Sequence, residues 1–67
     1  MRYIAIKDFT AVEYAKMSKP VVKVKRHDIL QVNDPNPKDG FVKAIYDSSM
    51  AIEIGEMTFR TCMEPDS

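Results

Sequence analysis

The chain has one cysteine, one histidine, two glycines and no tryptophan in 67 residues. Each scarcity removes a class of protein. Cys62 alone cannot form an intramolecular disulfide, so a disulfide-stapled secreted scaffold is excluded and a reducing, cytoplasmic setting is expected. With His27 as the only imidazole, the usual four-ligand zinc sites cannot be assembled. Gly40 and Gly55 lie too far apart to form a glycine-rich phosphate loop. No run approaches the roughly 20 apolar residues of a membrane span. The first nine residues include Arg2, Lys7 and Asp8 within their apolar stretch, which is not the pattern of a signal peptide. Net charge is also missing: ten Lys/Arg balance ten Asp/Glu.

That balance hides an asymmetry. Residues 1–33 carry seven basic and three acidic side chains, a net +4, and residues 34–67 carry three and seven, a net −4. Two oppositely charged faces are one reading. A mixed solvated surface is the other, because in a small β fold both halves of the chain contribute to every side.

The apolar pattern is mostly of period two. Arg2 to Lys7 places Ile4 and Ile6 on one side, and Val21 to Lys25 is β-branched and alternates from Val22. Ile29 to Val32 follows after the polar break Arg26-His27-Asp28. Residues 33–40 hold two prolines, two asparagines and a closing Asp-Gly, which cannot continue a ladder. Phe41 to Tyr46 resumes as a strand, residues 47–49 are a turn, and Met50, Ile52 and Ile54 share one face of the next strand. Gly55-Glu56 reads as a turn or bulge. Residues 57–63 read as a further strand, with Met57, Phe59, Thr61 and Met63 opposite Thr58, Arg60 and Cys62. Residues 64–67 read as a flexible acidic tail. Residues 10–19 are ambiguous. Thr10 and Glu13 have capping-box spacing before Tyr14-Ala15-Lys16-Met17, so a two-turn helix within a long loop competes with an irregular hairpin. The expectation is a mainly β chain, one domain over residues 1–63, with five or six short strands forming a small barrel or sandwich.

Several segments resemble the Src-homology-3-like family. Ala5-Ile6-Lys7-Asp8-Phe9 is similar to its opening Ala-Leu-Tyr-Asp-Phe. His27-Asp28-Ile29-Leu30-Gln31-Val32 resembles its Gly-Asp-Ile-Leu-x-Val, and Phe41-Val42-Lys43-Ala44 resembles its Trp-Trp-Lys-Ala. The resemblance implies a five-stranded barrel with residues 10–20 as the long first loop and residues 33–40 as the variable loop. It does not carry over the family's proline-peptide groove. Lys7 stands in place of the groove tyrosine, Phe41 in place of the tryptophan, and Gly55-Glu56-Met57-Thr58-Phe59 in place of the closing Pro-x-x-Tyr.

Candidate chemistry is sparse. His27 beside Asp28 has the residue types of an oriented general base, but no nucleophile motif accompanies it, so a turn role is favoured. Cys62 alternates with apolar neighbours and reads as a buried, inert thiol. The acidic residues match neither a calcium loop nor a glycosidase pair. No enzyme activity and no cofactor are expected. The most distinctive feature is the basic run Lys16, Lys19, Lys23, Lys25 and Arg26, with Tyr14 nearby. It suits a nucleic-acid surface, and it equally suits an edge strand guarded by lysines. A sequence pI near 6.5 weighs against the first. A second, acidic and aromatic face is expected from Phe41, Tyr46, Asp47, Glu53 and Glu56. Met50, Met57 and Met63 add adaptable apolar surface. The favoured reading is a cytoplasmic protein-interaction module, an accessory or phage/mobile-element protein that modulates a host enzyme. A small nucleic-acid-binding barrel using residues 23–26 is the alternative. Dimerisation is left open.

Overall fold

Alternation decides most of the architecture. In the segment Phe41 to Tyr46, Val42 and Ala44 are buried while Phe41 and Lys43 are exposed; in Met50 to Gly55, Ile52 and Ile54 are fully buried. Side chains of period two can place one row in a core only if the backbone is extended. A computed structural model describes residues 1–14, 16–47 and 49–66. It contains β1 (Arg2–Ala5), β2 (Phe9–Glu13), β3 (Val21–Val24), β4 (Ile29–Gln31), β5 (Phe41–Tyr46), β6 (Met50–Gly55), α1 (Glu56–Cys62) and β7 (Met63–Pro65).

The strands form one antiparallel sheet in the order β3-β2-β6-β5-β4-β1-β7. The mainly β class is as expected, but among the described residues there are seven strands where a five-stranded barrel was anticipated. The long first loop itself supplies the β2–β3 hairpin, and the C-terminal segment supplies β7. β3 and β7 stand at the two ends of the order and no ladder joins them among the described residues, so the sheet is open. Its inner side is filled by Leu30, Ile52, Ile54, Val24, Val32 and Val42, each under 2 % exposed. Among the described residues, no helix is long and apolar enough to cross a membrane.

Residues 10–19 resolve as the irregular hairpin. Thr10 and Glu13 are strand residues, and Ala11 and Val12 pair with Val22 and Val21. Ala15 lies outside the described residues. The reason is burial: Ala11 turns into the core, and two marginal helical turns offer no comparable apolar face. Of the expected turn at 47–49, Asp47 and Ser49 are turn residues and Ser48 lies outside the described set.

Residues 57–63 differ from expectation. Glu56 to Cys62 is helical, and only Met63 is a strand residue. Period two would have placed Met57 and Phe59 on one face, yet Met57 is 71 % exposed while Phe59 and Cys62 are buried. That is the i, i+3 spacing of a helix face. Glu56 and Arg60 add an ion pair at i, i+4, 2.9 Å apart, and the ring of Phe59 lies 5.0 Å from that of Tyr3. The end of the chain differs too. Residues 64 and 65, expected to fray, pair with β1, and Asp66 donates its N–H to the Arg2 carbonyl and pairs with the Arg2 guanidinium at 3.3 Å. Ser67 lies outside the described residues.

Candidate functional site

Two short turns position the exposed side chains that matter. In Lys25–Asp28 the Asp28 N–H donates to the Lys25 carbonyl at 3.0 Å, and His27 at i+2 has φ +81°. That is a type II turn, whose third position normally calls for glycine. Carboxylates clamp it from both sides. Asp28 Oδ2 accepts the Lys25 N–H at 3.0 Å and the Tyr46 hydroxyl at 2.7 Å, while Asp8 Oδ1 accepts the Arg26 N–H at 2.7 Å. His27 donates its N–H to the Ala5 carbonyl, so this residue serves the turn through its backbone. The second turn, Asp39-Gly40, has both residues at positive φ between the mutually bonded Lys38 and Phe41. This is the type I′ hairpin that an Asp-Gly pair favours.

The basic run divides in two. Lys16 pairs with Glu13 at 3.8 Å, and Lys19 pairs with Glu53 at 3.6 Å. Lys23, Lys25 and Arg26 remain together, on β3 and in the turn that follows it. Lys23 and Lys25 border a groove of about 260 Å³ lined also by Asp8, Phe9, Thr10 and Val24. Lys7, the residue before Asp8, is exposed as well and was not counted with the basic run in the sequence, because it lies far from it in chain position. Among the described residues, none of these four cations forms an ion pair. The nearby Asp8 and Asp28 carboxylates are instead engaged by backbone N–H groups.

The acidic and aromatic set does not assemble into one face. Glu53 is matched by Lys19 and Glu56 by Arg60. Phe41 and Tyr46 sit at opposite ends of β5. Phe41, 43 % exposed, borders a shallow recess with Asp34, Asn36, Lys38 and Lys43. Asp47 lines a broad outer-face groove of about 610 Å³ with Arg2, Ile29, Gln31 and Ile45. Tyr46 is occupied structurally. Its hydroxyl bonds to the Asp28 carboxylate, which, with partial burial and the charges of Asp28 and Asp47, raises its pKa. Of the two readings of the charge asymmetry, Lys19–Glu53 favours the mixed surface, since it joins a residue of the basic run to one of the acidic set.

The two sheet edges are unlike. Glu13 donates its N–H to the Pro20 carbonyl, which fixes the parity of the β2–β3 ladder: Val22 and Val24 bond inward to β2, while the N–H and C=O of Val21 and Lys23 point outward. Val21 is 66 % exposed. At the other edge, Ile6 donates to the Cys62 carbonyl and Asp66 to that of Arg2, so Met63 and Pro65 face outward. Proline has no N–H, and the Met63 N–H is donated to the Phe59 carbonyl at the end of α1. β3 therefore presents outward donors and β7 has none to spare.

Among the described residues, no three His, Cys, Asp or Glu side chains gather as a metal site would require. Set against protein-family models, curated proteins and solved structures, the chain matches none of them.

Proposed function

We propose that this chain is a non-catalytic protein-interaction module on a Src-homology-3-like barrel scaffold, and that it binds through the β3 edge and the cation-bordered groove beside it. The scaffold reading draws on the element order: a long hairpin, a tight turn at Lys25–Asp28, a Pro/Asn loop, a second hairpin, a helical segment and a last strand returning to β1. The observation that carries the binding reading is the coincidence of outward-facing backbone groups on Val21 and Lys23 with Lys7, Lys23, Lys25 and Arg26. An open strand edge presents alternating main-chain donors and acceptors that an extended polypeptide continues as a further strand, a ladder that the nucleic-acid backbone does not repeat.

The same four cations favour a second reading, nucleic-acid binding. Against it, single-strand binders rely on exposed rings for base stacking, and here Phe9 is half-buried in the groove while Tyr14 lies beneath the Lys43 ammonium, 5.0 Å from its ring centre. Anisotropy titrations with short DNA and RNA at low salt, run beside retention on an array of peptides of mixed composition, separate the readings. The interaction module is expected to be retained on peptides and to leave the oligonucleotides free. Salt-sensitive oligonucleotide binding lost on charge reversal at Lys23 and Lys25, with no peptide retained, would reverse the assignment.

A further inference from the structure

Resting on the protein-binding reading above, we infer that the β3 edge accepts an extended acidic segment of another polypeptide as an added antiparallel strand. Backbone parity sets where its hydrogen bonds go: to the N–H and C=O of Val21 and Lys23. Side-chain parity sets its composition. Val21, Lys23 and Lys25 alternate with Val22 and Val24, so one face of the incoming strand meets two ammonium groups and one exposed valine. Read from its own N-terminus, an antiparallel partner needs an acidic residue opposite Lys25, another opposite Lys23, and an aliphatic one opposite Val21. Aliphatic residues at the two intervening positions lie beside Val24 and Val22. The pattern is acidic–aliphatic–acidic–aliphatic–aliphatic.

Charge decides between occupants. Two copies of β3 laid antiparallel offer these lysines no carboxylate: the register centred on Lys23 sets lysine opposite lysine, and the neighbouring one sets Lys23 against Val21. Like charges directly opposite one another are destabilising, so a second copy is a poor occupant. An acidic strand converts the same lysines into cross-strand ion pairs. Antiparallel addition also continues the pattern of every ladder in the sheet.

The test is a titration of the isotopically labelled full chain with a synthetic peptide containing Glu-Val-Glu-Val-Ile, followed by amide shifts and hydrogen exchange. The largest changes are expected at the Val21 and Lys23 amides, with their exchange slowed about tenfold at a free peptide concentration near ten times Kd. Lys23→Gln should weaken binding by roughly two- to fivefold at low salt, as expected for an exposed charge. Lys23→Pro removes an N–H that the β2–β3 ladder does not use, and should abolish binding while leaving the spectrum folded. A peptide with lysine in place of both glutamates should not bind. Retention of neutral or basic peptides only would overturn the acidic strand and leave the protein-binding reading standing. Shifts confined to Arg2, Ile29 and Ile45 would overturn edge addition and the β3 site, leaving protein binding through the other groove. Oligonucleotide binding through Lys23 and Lys25 without any peptide binding would overturn both.

Discussion

Replacing His27 with glycine should make the protein more stable, although it deletes an entire side chain. His27 holds φ +81° at the third position of its turn, where an L residue costs roughly 1–2 kcal/mol relative to a right-handed conformation. Its side chain makes no hydrogen bond or ion pair among the described residues. Among the described residues, its one hydrogen bond runs from the backbone N–H to the Ala5 carbonyl, and glycine retains that group. The opposing term is glycine's greater loss of backbone entropy on folding, roughly 0.5–1 kcal/mol. The relief of strain wins, by about 0.5–1 kcal/mol. For 67 residues at about 2.1 cal/mol/K each, the unfolding entropy is near 0.14 kcal/mol/K, so Tm should rise by roughly 3–7 °C. A thermal melt followed by circular dichroism measures this, with a urea titration as a second readout. Arg26→Gly, one residue earlier and not at positive φ, is the control and should lose roughly 0.5–1 kcal/mol. An unchanged or lower Tm for His27→Gly would refute the strain account and show that the imidazole contributes a contact of its own.

Three further outcomes follow from the same structure. Gly40→Ala should destabilise by roughly 1–2 kcal/mol even though a Cβ there would meet nothing within 4 Å; a neutral effect in a urea melt would show the type I′ turn to be dispensable. Ile52→Ala, at a fully buried position, should cost about 2–5 kcal/mol, enough in a domain this small to leave a substantial unfolded fraction by circular dichroism. Tyr46→Phe removes a phenol whose pKa is raised first by its hydrogen bond to Asp28. The folded state holds that proton more tightly than the unfolded chain, so the contribution is complete below about pH 10 and fades as pH climbs through the folded value. Urea midpoints of the wild type should therefore fall more steeply above about pH 10 than those of Tyr46→Phe, and parallel slopes would contradict it.

Local signals read well in the sequence where one principle acted alone. Clean alternation identified β6, the resumed apolar run identified β5, and the Pro/Asn stretch with its closing Asp-Gly identified the loop before β5; that this Asp-Gly makes a hairpin turn was not read. His27 was read as a turn residue, and it stands in a turn at positive φ. The misreadings came where two periods fit the same letters. From Met57 to Met63 the apolar residues satisfy period two, but Phe59 and Cys62 also satisfy a helix face, and the choice depended on which of Met57 and Cys62 could reach the core. The short last strand was hidden because Glu64 and Pro65 have little β propensity of their own; their pairing comes from β1. Long-range partnerships left no trace at all. Nothing near Lys19 announces Glu53, and nothing near Tyr46 announces Asp28 eighteen residues earlier, so the basic and acidic sets looked like separate faces until the sheet brought them together.

The contrast between the two edges has a consequence for growth. A sheet elongates without limit only if each newcomer brings a fresh edge to replace the one it covers. In this chain the outward N–H groups of β7 are either absent, at Pro65, or already given to α1, at Met63. Whatever docks at β3 finds no second acceptor of strands on the far side of the molecule. If a strand docks at β3, the far edge offers a further one only the outward carbonyls of Met63 and Pro65 and no free N–H, so association through this sheet is expected to stop at a fixed stoichiometry.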